Sequence, residues 1–209
     1  MARTLPATPY RRAVPELRNV GVFCGSSPGH DPRHLALARE VGVALAARGI
    51  GLVYGGGQVG LMGAAADACL AGGGRVVGVI PGALFAREVV HPGLAELHEV
   101  ATMHERKALM YDRSDGFLAL PGGLGTLDEL CEVATWAQLG LHAKALVLVD
   151  ADGFWDPFVQ MLDRMVDAGF LRPRNRALIL RAGGAAEALD VLAAARPEDV
   201  PPAIGPEDR

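Results

Sequence analysis

The chain has 209 residues, half of them apolar and only 5% aromatic, with a formal net charge of −4. That length suits one domain with a substantial core, and the composition excludes a disordered chain, a coiled coil or a base-stacking surface for single-stranded nucleic acid. The negative balance supplies no field for a phosphate backbone, so the expected partner is a small molecule, not nucleic acid.

Cys24, Cys69 and Cys131 are odd in number, widely spaced and form no CxxC, which indicates neither a disulfide framework nor a zinc site. A reducing, cytoplasmic setting follows as the expectation. Residues 1–18 hold four arginines and three prolines without an apolar segment and read as a loose arm. No apolar run approaches the length that spans a bilayer, so no membrane association is expected.

From residue 20 onward, short apolar runs ending in glycine alternate with helix-like segments, the pattern of repeated βαβ units. Continuous apolar character predicts strands buried on both faces at 20–24, 50–54, 76–80, 116–120, 145–149 and 177–180, with a weaker one near 96–100. A first helix starts at Asp31-Pro32, an N-cap followed by proline at the first helical position, and stops at Gly49. Further helices are predicted over 60–70, 102–113, 126–139, 157–168 and 185–194. The resulting expectation is a Rossmann-like open parallel α/β sheet with helices on both faces, forming a single domain over 19–195. The proline-containing tail 196–209 reads as loosely ordered.

The glycines follow the strands: CGSSPG after the first, YGGGQVGLMG after the second, IPG after the third and LPGGLG after a later one. In a parallel sheet these loops share one edge, so they are expected to converge on one ligand crevice. GGGQVG at 55–60 and GGLGT at 122–126 each suit a phosphate, because a glycine turn opening a helix aims backbone amides and the helix dipole at an anion. Neither is a P-loop, since no GK[ST] follows, and the loose likeness of 55–60 to GxGxxG lacks an acidic ribose partner. Triphosphate chemistry and hydride transfer are therefore disfavoured.

Ser26 and Ser27 either bond a phosphate or ribose or satisfy turn backbone. Glu129 either closes a capping box with Thr126 or faces a sugar ring as a carboxylate able to direct water or stabilise an oxocarbenium ion. Thr102 to Glu105 forms a second capping box, and Arg106 and Lys107 follow it near a helix start, where the dipole disfavours cations unless an anion lies opposite. The six histidines lack an acidic third ligand nearby, so no metal site is expected. The only lysines are Lys107 and Lys144.

PGGLGTLDE at 121–129 resembles the PGGxGTxxE signature of the LOG (Lonely Guy) family of cytokinin riboside 5′-monophosphate phosphoribohydrolases, often mislabelled lysine decarboxylases. FCGSS at 23–27, YGGGQVGLMG at 54–63, IPG at 80–82 and MHERK at 103–107 extend the resemblance. It implies hydrolysis of an N6-modified adenosine monophosphate, or AMP, to free base and ribose 5-phosphate without cofactor or metal. The family's essential arginine and glutamate fall on Arg106 and Glu129. Ser26, Gly57, Glu88, Met103, Lys107, Gly122, Gly123, Gly125 and Thr126 are the expected substrate-binding residues. A homodimer is implied too, with the helix around Trp136 serving as interface or as core. The competing reading is a nucleotide carrier or sensor that uses the same crevice without turnover.

Overall fold

Apolar residues alternate between the two faces of each central strand, and this decides the layers. In β1 (Asn19–Phe23) Val20 and Val22 face one way and Phe23 the other; in β2 (Gly51–Tyr54) Leu52 opposes Val53. β5 (Gly116–Ala119) divides Leu118 from Phe117, and β6 (Leu146–Val149) divides Val147 from Leu146 and Leu148. Both faces must therefore be covered by helices. The first core packs against α1 (Pro32–Ala47), α2 (Gly60–Ala71) and α7 (Ala185–Ala194), through residues such as Val41, Leu45, Ala66 and Leu189. The second packs against α3 (Met103–Asp112), α4 (Leu124–Gln138) and α5 (Asp156–Asp167), through Met110, Leu130, Val133 and Leu162.

The computed structural model describes residues 17–82, 90–94 and 96–195. The predicted tail at 196–209, most of the predicted arm and the expected site residue Glu88 lie outside the described residues. Leu17 already packs on the first core, and the Arg18 and Asn19 amides both donate to Asp115 Oδ2 at 2.9 Å. The packed unit thus begins just before residue 19.

With β3 (Val76–Pro81), β4 (Glu96–Val100) and β7 (Ile179–Ala182) the sheet has seven strands in the order β4-β3-β2-β1-β5-β6-β7, every adjacent pair parallel. The expected single α/β domain with a Rossmann-like parallel sheet is what forms. The chain builds outward from β1 to β4, returns to β5 beside β1, and continues to β7. The topological switch point, where such sheets leave a crevice at the carboxyl ends of the strands, therefore lies between β1 and β5.

Two element starts differ from expectation by two residues, and the weak strand lies where it was expected. The last strand runs over Ile179–Ala182 and not 177–180, because Pro173 opens a short helix, α6 (Pro173–Arg176), that uses up the preceding residues. β4, the weak strand, is an edge strand whose charged residues serve it: Glu96 accepts from Arg75, from Arg113 Nη1 at 2.7 Å and from His98. The second difference concerns the site: α4 starts at Leu124 with Gly123 as N-cap, two residues earlier than predicted.

Candidate active site

The early start of α4 sets the character of the crevice. Its first intrahelical bond runs from the Leu127 amide to Gly123 O at 3.1 Å, so the amides of Leu124, Gly125 and Thr126 precede it at the positive end of the helix. The start also removes the capping-box reading of Glu129. Thr126 lies inside the first turn, buried, and Glu129 is a full turn further on, buried at 9% exposure.

The other glycine loop behaves differently from expectation. The amides of Leu61 and Met62, at the N-terminus of α2, both donate to Gly25 O, at 3.0 and 3.4 Å. A protein carbonyl already occupies that helix end. Of the two loops expected to suit a phosphate, GGLGT presents open amides and GGGQVG is braced against the β1 loop.

Arg106 stands in the first turn of α3, behind the Thr102 cap, whose Oγ1 accepts from the Glu105 amide at 3.1 Å. Its guanidinium is buried and held on three sides. Nε donates to Val79 O at 3.1 Å, Nη2 to Gly55 O at 3.4 Å, and Nη1 stands 3.5 Å from Glu129 Oε1. Burial pushes the Glu129 carboxyl up to about 7, with the Arg106 guanidinium pulling the other way. Glu129 therefore changes charge near neutral pH while touching a fixed cation.

Around this pair lies a cavity of about 320 Å³, in the size range of small-molecule sites. It brings together Ser26, Met103, Arg106, Gly123, Gly125, Thr126 and Glu129 of the expected residues. Gly57, Gly122 and Lys107 do not line it. Gly57 is buried and bridges to Val90, Gly122 faces a neighbouring cleft, and Lys107 Nζ turns to Asp128 Oδ2 at 3.1 Å and Glu132 Oε1 at 3.0 Å. The IPG loop is absent from the lining among the described residues; β3 bears on the site through Val79 O, which holds Arg106. Ser27 Oγ accepts from the Gly29 amide, the turn-backbone role, and leaves Ser26 as the serine at the cavity.

Profile and sequence comparisons fit this geometry. The profile of the family described as "Possible lysine decarboxylase" matches residues 62–192. The cytokinin riboside 5′-monophosphate phosphoribohydrolase LOG of Oryza sativa subsp. japonica is 48% identical over 170 residues, 81% of this chain and 70% of the relative. The corresponding LOG7 of Arabidopsis thaliana is 46% identical over 181 residues, 87% of this chain and 83% of the relative. The chain belongs to the LOG family. The molybdenum cofactor carrier protein of Chlamydomonas reinhardtii shares its fold, with a TM-score of 0.64 at 22% identity over 84% of this chain and 96% of that one.

For a LOG family chain, the groups that sequence reasoning passed over are backbone and apolar ones. The carbonyls of Gly55 and Val79 fix Arg106, and Cys24 and Met62 line the cavity floor, where burial pushes the Cys24 thiol up. Carbonyls carry no residue signature, so no motif announced them.

The signature's glycines divide by role. A Cβ on Gly122 would stand 2.1 Å from Thr126 Oγ1 and 2.9 Å from the Gly25 amide, whereas one on Gly123 or Gly125 would meet nothing within 4 Å. Gly122→Ala is expected to cost about 1–3 kcal/mol of stability by overpacking. Gly123→Ala and Gly125→Ala should unfold near the wild-type temperature while weakening binding of a phosphate at α4. Thermal unfolding of the three variants, with and without inorganic phosphate, checks this; a Gly122→Ala protein as stable as the wild type would refute the division.

Proposed function

We infer that this protein hydrolyses the N-glycosidic bond of cytokinin riboside 5′-monophosphates, and of AMP, releasing free base and ribose 5-phosphate. The observation that carries the reading is the Arg106–Glu129 pair buried beside the open N-terminus of α4. The Leu124, Gly125 and Thr126 amides receive the 5′-phosphate, which places the ribose toward Glu129. As the C1′–N bond breaks, positive charge develops on the ribose and the Glu129 carboxylate stabilises it. Water adds its oxygen to C1′ and the departing base takes up a proton, so the two products together contain the elements of substrate and water. Arg106 keeps Glu129 ionised and in place.

The old decarboxylase label requires a lysine in the cavity to bind pyridoxal phosphate. Lys107 is turned to Asp128 and Glu132, and Lys144 Nζ donates to Tyr111 O at 2.7 Å over the Tyr111 ring. Neither lines the cavity.

Two large apolar side chains stand at the cavity and remain in contact with water, Met103 at 40% and Leu124 at 85% exposure. They suit an apolar base substituent. The test is incubation with AMP and with N6-isopentenyl-AMP, following free base by chromatography. Release from both, faster from the isopentenyl nucleotide, is expected. Met103→Ala should cost the isopentenyl substrate about tenfold in kcat/KM relative to AMP. Binding of either nucleotide without release of base would replace the hydrolase with a carrier or sensor.

A homodimer completes the reading. Trp136 is half-buried against Tyr111, while Leu139 and Leu141, just past it, are largely exposed and suited to an interface. Light scattering should give twice the chain mass. The small-molecule partner, the absence of nucleic-acid and membrane partners and a cytoplasmic location belong to the same proposal; no helix among the described residues is long and apolar enough to cross a membrane.

A further inference from the structure

Lys107 follows the arginine that touches Glu129, yet its ammonium faces away from the cavity. It bridges from α3 to α4, 3.1 Å from Asp128 Oδ2 and 3.0 Å from Glu132 Oε1, with its side chain only 12% exposed. These two carboxylates flank Glu129 on its own helix, one residue before it and three after. Lys107, Glu129 and Glu132 also line a common void of about 10 Å³ closed by Phe23, Met110 and Trp136. A gap of that size holds at most about one water, so little solvent screens Lys107, Glu129 and Glu132 from one another across it, whereas Asp128 is more than half exposed.

We propose that Lys107 is a positioning residue: by bridging Asp128 and Glu132 it neutralises the two carboxylates beside Glu129 and pins α3 to α4, so that Glu129 stays ionised against Arg106. This rests on the hydrolase reading above, and it departs from the substrate-binding role that the family resemblance implies for Lys107.

The charges facing Glu129 come from each neighbouring element. Arg106 and Lys107 on α3 favour its ionised form, Asp128 and Glu132 on α4 oppose it, and the buried Cys24 thiol after β1 interacts with it. Burial already opposes ionisation. With the Lys107 ammonium removed, one favourable charge is lost and two opposing ones are uncovered together. The residue thus acts more strongly than a single distant cation would.

Glu129 itself can be watched in the test. Its side-chain carboxyl is followed by ¹³C NMR against pH in the wild type, in Lys107→Met, and in Lys107→Met combined with Asp128→Asn and Glu132→Gln. The midpoint is expected to rise by about one pH unit in the single variant, equivalent to about a tenfold loss of ionised fraction below the midpoint. It should return toward the wild-type value in the triple variant, which has no flanking charge left to neutralise. In turnover of AMP, the acid limb of kcat should move with the midpoint, KM should stay nearly constant, and kcat well above the limb should recover.

An unshifted Glu129 midpoint in Lys107→Met overturns the proposal. So does a rise in KM for AMP at every pH that the triple variant fails to reverse, because that is the behaviour of a direct phosphate ligand. The NMR readout does not need turnover, so a wild-type protein that titrates as expected but releases no base would sink the hydrolase reading and leave the role of Lys107 in placing Glu129 standing.

Discussion

Glu129→Gln is expected to abolish base release, by about 10²-fold or more, and at the same time to make the protein more stable above pH 7. The first effect is the loss of the carboxylate facing the ribose as it becomes cationic. The second follows from the sign of the shift. Burial raises the native Glu129 carboxyl from 4.5 to about 7, so between those values the native state holds a proton that the unfolded chain has lost. Stability contributed by this site is complete below about 4.5, falls as pH rises and is lost above about 7.

Glutamine carries no such dependence. The variant's advantage should therefore be absent near pH 4.5, grow through the interval and level off above 7. The shift corresponds to about 3 kcal/mol at most. That net shift already includes the opposing pull of Arg106, 3.5 Å away. Denaturant unfolding of both proteins at pH 5 and pH 8 measures the difference. A variant no more stable than the wild type at pH 8 would mean that Glu129 is not strained by its burial, and retained turnover would remove it from the chemistry. The opposing effects on activity and stability separate a functional carboxylate from a structural one, which would lose both.

The sheet was legible from the sequence because burial on both faces leaves continuous apolar runs at β1, β2, β3, β5 and β6, and because Asp31-Pro32 is a cap signal that needs no tertiary context. The start of α4 was not. Thr126-Leu127-Asp128-Glu129 has every feature of a capping box, and only the bond from the Leu127 amide to Gly123 O shows that the helix opens earlier, with Gly123 as its cap. The sequence likewise offered two glycine loops of equal merit for an anion. The difference between them is one carbonyl, Gly25 O, brought to α2 from the end of a different strand. Lys107 is the converse case. Adjacency to Arg106 suggests a shared target, but successive residues of a helix point about 100° apart, and here that rotation carries the ammonium from the cavity to the α4 face.

Gly55→Ala is expected to cost activity about as much as Arg106→Ala, on the order of 10²-fold, while leaving the fold nearly intact. The site of substitution is the residue after β2, which lines the cavity and holds Arg106 through its carbonyl but offers the substrate no side chain. An added Cβ would stand 1.8 Å from Arg106 Nη2 and 3.1 Å from Met62 Sδ. Gly55 has no left-handed backbone conformation that alanine must avoid, and alanine restricts the unfolded chain more than glycine does. The atom struck is the far end of a flexible side chain, so the guanidinium can swing away and spare the strand. In doing so it gives up its bond to Gly55 O and draws Nη1 from Glu129. With that cation withdrawn the Glu129 carboxyl should titrate above 7, and the acid limb of the pH–rate profile should move upward with it. Thermal unfolding and the pH–rate profile of Gly55→Ala together decide the matter. A well-folded variant with turnover within about threefold of the wild type would show that Arg106 need not sit where Val79 and Gly55 hold it. A well-folded and inactive one would establish that the glycine after β2 is there to admit the guanidinium.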